Sequence, residues 1–405
     1  MLLSIRITGL LLPVILVILW RCATVEAFGK IGMECSECHK GNNAAAKKFH
    51  TGGANECREC HVGNGPALKG SDASSTCLLC HEAPQGTRKP AGYYVATNTM
   101  DLRSGLTPSQ LTPGGDFGWL KKSYSWKLSR ESGTSPGERH GHNIVALDFG
   151  YEADTRMNTS SNGRYPSREL SCISCHDPHG KIAKGTGASG AYRMLGGSGY
   201  KTSSVPGVIF SFDAPVVVSP RDYNRAESMT DTRIAYGSGM SEWCGNCHTS
   251  GCTGRTHPAG KCANCGRETI SNYNAYVKSG DINGRADTAY TSLIPFEEGT
   301  DNISILTQHA QNNGSYTKGA ESGSNVMCLT CHRAHASGWN SMARWNMDTD
   351  FIVYKNKYPG TDNGSSPELA QGRTSAETQW ALYDRPSSRF ASVQRGLCNK
   401  CHTKD

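Results

Sequence analysis

Residues 172–179 read Cys-Ile-Ser-Cys-His-Asp-Pro-His, and the first five decide how the chain is built. Cys172-x-x-Cys175-His176 is the attachment signature of c-type haem. Two thiols at this spacing can add to the two vinyl groups of one porphyrin, and the imidazole that follows then lies under the iron as axial ligand. The pattern recurs at Cys35–His39, Cys57–His61, Cys77–His81, Cys244–His248, Cys328–His332 and Cys398–His402, which makes seven. One copy alone could be half of a zinc site. Seven copies, each with His directly after the second Cys, do not follow the ligand spacings of zinc. The attaching cysteines are Cys35 and Cys38, Cys57 and Cys60, Cys77 and Cys80, Cys172 and Cys175, Cys244 and Cys247, Cys328 and Cys331, and Cys398 and Cys401. Seven covalently attached haem c groups are expected.

The chain has 405 residues and 18 Cys. Its start has the form of a secretory signal: Arg6, an apolar run from Gly9 to Trp20, and the small-x-small triplet Val25-Glu26-Ala27. Residues 1–27 are read as the signal. The apolar run is short for an uncleaved anchor, and Trp20-Arg21 before Cys22 is a poor lipoprotein site. No later stretch is apolar enough to span a bilayer, so an exported protein without a transmembrane segment is expected. Export suits haem attachment outside the cytoplasm.

Only 37% of residues are hydrophobic, against 46 Gly and 17 Pro. That is thin for packed helices or sheets. The expected fold is mostly irregular coil and turn with few short helices and strands, wrapped around a stacked haem chain and unable to fold without haem. The formal charge of +7 falls by one with the signal. Two propionates per haem would then make the loaded protein acidic, so the Lys and Arg residues are no nucleic-acid patch.

Along the chain, Phe28 to Cys35 and Phe49 to Cys57 look like two copies of one unit. Residues 28–88 hold three signatures, which must lie close together because so little chain separates them. No linker divides residues 28–405, which are read as one multihaem unit. Val205–Val218 alternates as a short strand pair would, and Ser271–Lys278 and Ser375–Tyr383 have helical periodicity. Cys252, His257, Cys262 and Cys265 form a separate cluster that admits a disulfide, free thiols, zinc or an unusual eighth haem.

Fourteen His are present. His39, His61, His81, His176, His248, His332 and His402 are proximal. His50, His140, His142, His179, His257, His309 and His335 remain, one for each haem if every iron is bis-histidine. Such an iron passes electrons and has no position for substrate. His179 and His335 follow a proximal His by three residues, too close to reach the far face of the same porphyrin, and should serve a neighbouring one. No C-x-x-C-K signature is present, which counts against a multihaem reductase. The expected function is electron transfer, not catalysis.

Segments beyond the signatures carry a resemblance: LTPGGDFGWLKKS at 111–123, GERHGHNIVA at 137–146, GAYRMLGG at 190–197, YGSGMSEWCGNCHT at 236–249, HPAG at 257–260, PFEEGT at 295–300, CLTCHRAHASG at 328–338 and LCNKCHTKD at 397–405, together with SCISCHDPHGK at 171–181. The chain resembles the OmcS type of outer-surface multihaem c-type cytochrome, the family of extracellular cytochrome nanowires. The resemblance implies bis-histidine haems in a continuous stack. It also implies protomers joined end to end as a homopolymer, and electron delivery to metal oxides, electrodes or partner cells through periplasmic or outer-membrane redox partners. Two features depart from it. The family has six haem sites, and the seventh here is N-terminal. The His that the family lends to the next subunit, three residues after the first proximal His, is replaced by Asn42 and Asn64. His50 is the nearest substitute. The rival readings are a discrete periplasmic or surface carrier and a multihaem reductase.

Overall fold

The computed structural model describes residues 57–62, 66–88, 93–129, 131–178, 192–202, 204–220, 232–248, 258–277, 283–291 and 293–402, with backbone only at 57 and 58. The segment 1–27, the signature Cys35–His39, Asn42, His50, Asn64, His179, Cys252 and His257 lie outside the described residues. Two compact units are formed, Met1–Lys69 and Gly70–Asp405, so the boundary falls inside the 28–88 segment.

In the first unit, helix α1 (Cys57–Cys60) carries the second signature. The chain then doubles back through an antiparallel bridge between His61 and Leu68. Lys69 N–H donates to the Cys60 carbonyl, which closes the turn.

The second unit has helices α2 (Ala73–His81), α3 (Thr99–Arg103), α4 (Met240–Cys244), α5 (Arg267–Ala275), α6 (Ile303–His309), α7 (Cys328–Cys331), α8 (Pro367–Ala370) and α9 (Ser375–Ala381). The longest have nine residues. Isolated helices this short are marginal in water, so caps and packing must hold them. Asp72 caps α2 by accepting from Ser75 N–H at 2.7 Å, and its second oxygen accepts from Leu147 N–H at 2.8 Å. Thr374 and Glu377 form a capping box on α9. Three two-stranded antiparallel ladders complete the regular structure: β1 (Tyr124–Lys127) with β2 (Ser132–Ser135), β3 (Val217–Val218) with β4 (Ala235–Tyr236), and β5 (Phe351–Val353) with β6 (Gln394–Arg395). The remainder is coil, turn and 3-10 turn, the irregular class expected from composition. Among the described residues no helix is long and apolar enough to cross a membrane.

Two differences from expectation concern the strands and the core. Of Val205–Val218 only Val217–Val218 is strand, and its partner is Ala235–Tyr236 instead of a neighbour within the stretch. The side-chain core is also larger than the composition suggested. Leu78, Phe117, Trp119, Tyr124, Trp339 and Trp345 belong to one buried cluster. Aromatic residues are few, but each buries a large area, so a modest number fills a core.

Candidate haem sites

Each described signature begins on a short helix or 3-10 turn, with its His at or just beyond the end. The third is on α2, the fourth on the 3-10 turn Cys172–Ser174, the fifth starts on α4, the sixth is on α7 and the seventh on the 3-10 turn Leu397–Lys400. Both cysteines of the third to sixth signatures are free thiols. Burial pushes Cys175 and Cys331 up to about 12 and Cys247 to about 11. Among the described residues no three His, Cys, Asp or Glu side chains form a metal site. The donors at each signature, two thiols and one imidazole, therefore fit haem c.

From the third signature to the seventh, sites neighbouring in sequence are neighbours in space. The Cys77 and Cys172 side chains hydrogen-bond each other, as do those of Cys244 and Cys328. Cys175 lies in the field of Cys247, and Cys331 in that of Cys398 and Cys401. The third to seventh signatures thus form one ordered series. Two joints in it share a design. Cys172 N–H donates to Ser74 Oγ at 3.1 Å and Cys328 N–H to Ser241 Oγ at 3.0 Å. Each serine stands three residues before the first Cys of the preceding site. The repeat extends past the His. His176 and His332 donate from Nδ1 to the carbonyls of Arg193 and Ser341, at 2.8 and 2.7 Å. Those residues open matched left-handed pairs, Arg193-Met194 and Ser341-Met342. The serine spacing is visible in sequence; the left-handed pairs have no sequence signal.

Most of the site imidazoles are fixed in one way. Nδ1 donates to a backbone carbonyl: Pro66 for His61, Tyr93 for His81 and Ala334 for His142. His248 Nδ1 pairs with Ser161 Oγ at 3.3 Å. A carbonyl only accepts, so in the rings bonded to one the proton is on Nδ1 and Nε2 keeps its lone pair, as a metal-binding nitrogen must. Burial lowers His176 and His142, and with His142 and His332 beside it His248 falls to about 4. Neutral rings keep the lone pair that iron needs. His309 at the end of α6 differs: its Nδ1 is against Glu298 Oε2, and its ring stacks on Tyr316 at 4.1 Å. The ring of His402 is exposed.

His335 and His142 are placed by one crossing. Residues 335–337 run between Gly114-Gly115 and His140-Gly141-His142, with His335 N–H on the Gly114 carbonyl, His142 N–H on the His335 carbonyl, and Ser337 N–H on the His140 carbonyl. A Cβ at Gly115 would lie 1.8 Å from the Ala336 carbonyl oxygen, and its φ is +99°. Glycine is required there because the two backbones touch. The crossing sets the His335 ring 6.3 Å from that of His176 and the His142 ring 5.9 Å from that of His248. Rings at this separation would have room for one metal ion between them at metal–nitrogen distances of about 2 Å.

His140 departs from the other nine described histidines. It is the one among them that is fully enclosed, with 0% exposure. Its Nδ1 lies 3.0 Å from the Trp119 carbonyl and must carry the proton, because a carbonyl only accepts. Burial beside Arg373 lowers the ring to about 3, so it is neutral, and Nε2 lies 2.7 Å from Ser135 Oγ, whose one proton is shared with Asn340 Oδ1 at 2.9 Å. Arg373 Nη2 donates to the same Ser135 oxygen at 2.9 Å and covers the rings of Tyr124 and Trp339.

Cys262 is disulfide-bonded, and Cys265 is a buried free thiol. A disulfide sulfur offers no thiolate, so the zinc and eighth-haem readings of that cluster fall.

No family model matches the chain. The C-type cytochrome OmcS of Geobacter sulfurreducens is 43% identical over 408 residues, spanning 92% of this chain and 93% of that protein. Two solved structures from that organism, an outer membrane cytochrome S filament and OmcS nanowires seen by cryo-EM, each match with a TM-score of 0.79 and 42% identity. Each match covers 88% of this chain and 100% of the other. With the ordered signatures, a common fold and this identity along nearly its whole length, the chain belongs to the OmcS family of multihaem c-type cytochromes, electron-transfer proteins with covalently attached haem c.

Proposed function

We propose that the protein is an exported heptahaem cytochrome that carries electrons along its length and assembles end to end into an extracellular filament. The observation that carries this reading is the ordered series of contacts from the third signature to the seventh. When bound, haem c supplies a one-electron iron couple at each site. The chain's own residues do the rest. The Cys pairs anchor each group, and the signature His ligates it from one side. His335 completes the site of His176, and His142 that of His248. Helix α2 and the 3-10 turn at Cys172, and likewise α4 and α7, hold successive sites in contact. The leader at 1–27 sends the chain through the periplasm to the outer surface, where metal oxides, electrodes or partner cells would accept electrons.

Filament formation draws on the relatives, whose solved structures are described as a filament and as nanowires. Asn42 and Asn64, where the resemblance calls for a lent His, favour a second reading, a discrete surface carrier. Electron microscopy of the haem-loaded mature protein separates the two. Filaments are expected. Discrete particles at all concentrations would refute assembly and leave the carrier. In His50→Ala, filaments lost with haem content unchanged would make His50 the interface ligand, and filaments retained would remove it from that role.

A further inference from the structure

We infer that one haem iron in each protomer has no second histidine and is open to a small π-acceptor ligand such as carbon monoxide. This rests on the heptahaem reading and on the surroundings of His140. Iron takes the lone pair of an imidazole nitrogen. In His140 neither nitrogen is placed to give one. Nδ1 carries the proton held by the Trp119 carbonyl, and Nε2 is sealed against Ser135 Oγ at 2.7 Å. The ring has no uncovered surface for a porphyrin to approach. Ser135 Oγ is itself fixed, with Arg373 Nη2 and Asn340 Oδ1 each at 2.9 Å. Bringing His140 to an iron would pull a fully enclosed ring out of its packing and break its hydrogen bond to the Trp119 carbonyl. His140 is therefore a core residue.

The inventory is then closed. Of fourteen His, seven are proximal and one is His140, which leaves His50, His142, His179, His257, His309 and His335. Six side chains cannot supply seven irons. Exchange between copies does not help: a protomer that lends a His to one neighbour receives one from the other, so the shortfall survives in any homopolymer. Asn42 and Asn64 stand where a further His would have closed it.

The test uses the full, haem-loaded protein. Haems per chain are counted as the pyridine haemochrome. Near-infrared magnetic circular dichroism of the oxidised protein counts bis-histidine irons, and carbon monoxide is titrated into the reduced protein. Seven haems, six of them bis-histidine, and one carbon monoxide per chain are expected. Seven bis-histidine irons with no carbon monoxide uptake would overturn the inference and leave the heptahaem reading intact. Six haems, all bis-histidine, would refute both. His140→Asn should keep six bis-histidine irons, and His142→Asn should have five. A loss in His140→Asn equal to that in His142→Asn would make His140 a ligand. Should His140→Asn fail to fold, the count on the wild-type protein still decides.

Discussion

Glu297 shows how one side chain sets a pH response. It is fully buried, and its Oε1 accepts from Met240 N–H at 3.1 Å. Burial, with Glu242 and Asp301 nearby, pushes its carboxyl up to about 7, while the Met240 and Asn325 hydrogen bonds pull the other way. The folded protein therefore holds this proton through a range in which the unfolded chain, near the ordinary value of 4.5, has released it. Stability from this group is greatest below about pH 4.5 and is lost as pH rises towards 7. The whole effect is on the order of 3 kcal/mol. In Glu297→Gln the slope across that window should flatten, and the variant should be the more stable above pH 7. Thermal unfolding midpoints from pH 4.5 to 8 check this, and equal slopes in both proteins would refute it. Nothing in the residues flanking Glu297 shows this. The proton affinity arises because Met240, Glu242 and Asn325 arrive from distant parts of the chain.

At the scale of elements, the helices were partly legible. Ser375–Tyr383 has helical periodicity, and α9 covers Ser375–Ala381 with Thr374 as its cap. Thr374→Ala loses the box and should cost about 1 kcal/mol. Denaturant titration measures it, and Thr374→Ser should recover most of the loss. The other expected helix, Ser271–Lys278, is displaced: α5 covers Arg267–Ala275. Its end is chosen by Lys400, which is buried and whose Nζ donates to the Tyr273 and Ala289 carbonyls at 2.9 and 2.8 Å and to the Tyr276 carbonyl. A side-chain donor on the last carbonyls of a helix fixes its terminus. That donor comes from the seventh haem signature, more than a hundred residues away, so periodicity within the helix cannot find it.

For the molecule as a whole, the balance between side-chain core and cofactor decides folding. The aromatic cluster around Trp119, Trp339 and Trp345 packs partly buried Cys172, Cys331 and Cys401 against it. The core thus ends at the haem-attaching thiols, and a porphyrin would extend it. Protein made without haem attachment should show no cooperative thermal transition and little near-ultraviolet circular dichroism, since burial of the porphyrin faces is part of the folding free energy. A sharp, reversible transition in haem-free protein would show that the aromatic core suffices.

The chemistry was readable from the chain alone. Two thiols and an imidazole at fixed spacing are a local device, so the signatures named the cofactor and the irregular fold class without reference to distance in space. Partnership was not readable. A count of seven remaining histidines for seven irons treats them as equivalent, and only packing separates them. Gly115 and Gly141 let the 335–337 segment pass close enough to bring His335 to His176 and His142 to His248, while the residue two places before His142 turns inward to Ser135 and Trp119. Ligand type is local chemistry; ligand pairing and the order of sites are set by which distant backbones can touch, and the tertiary structure alone decides that.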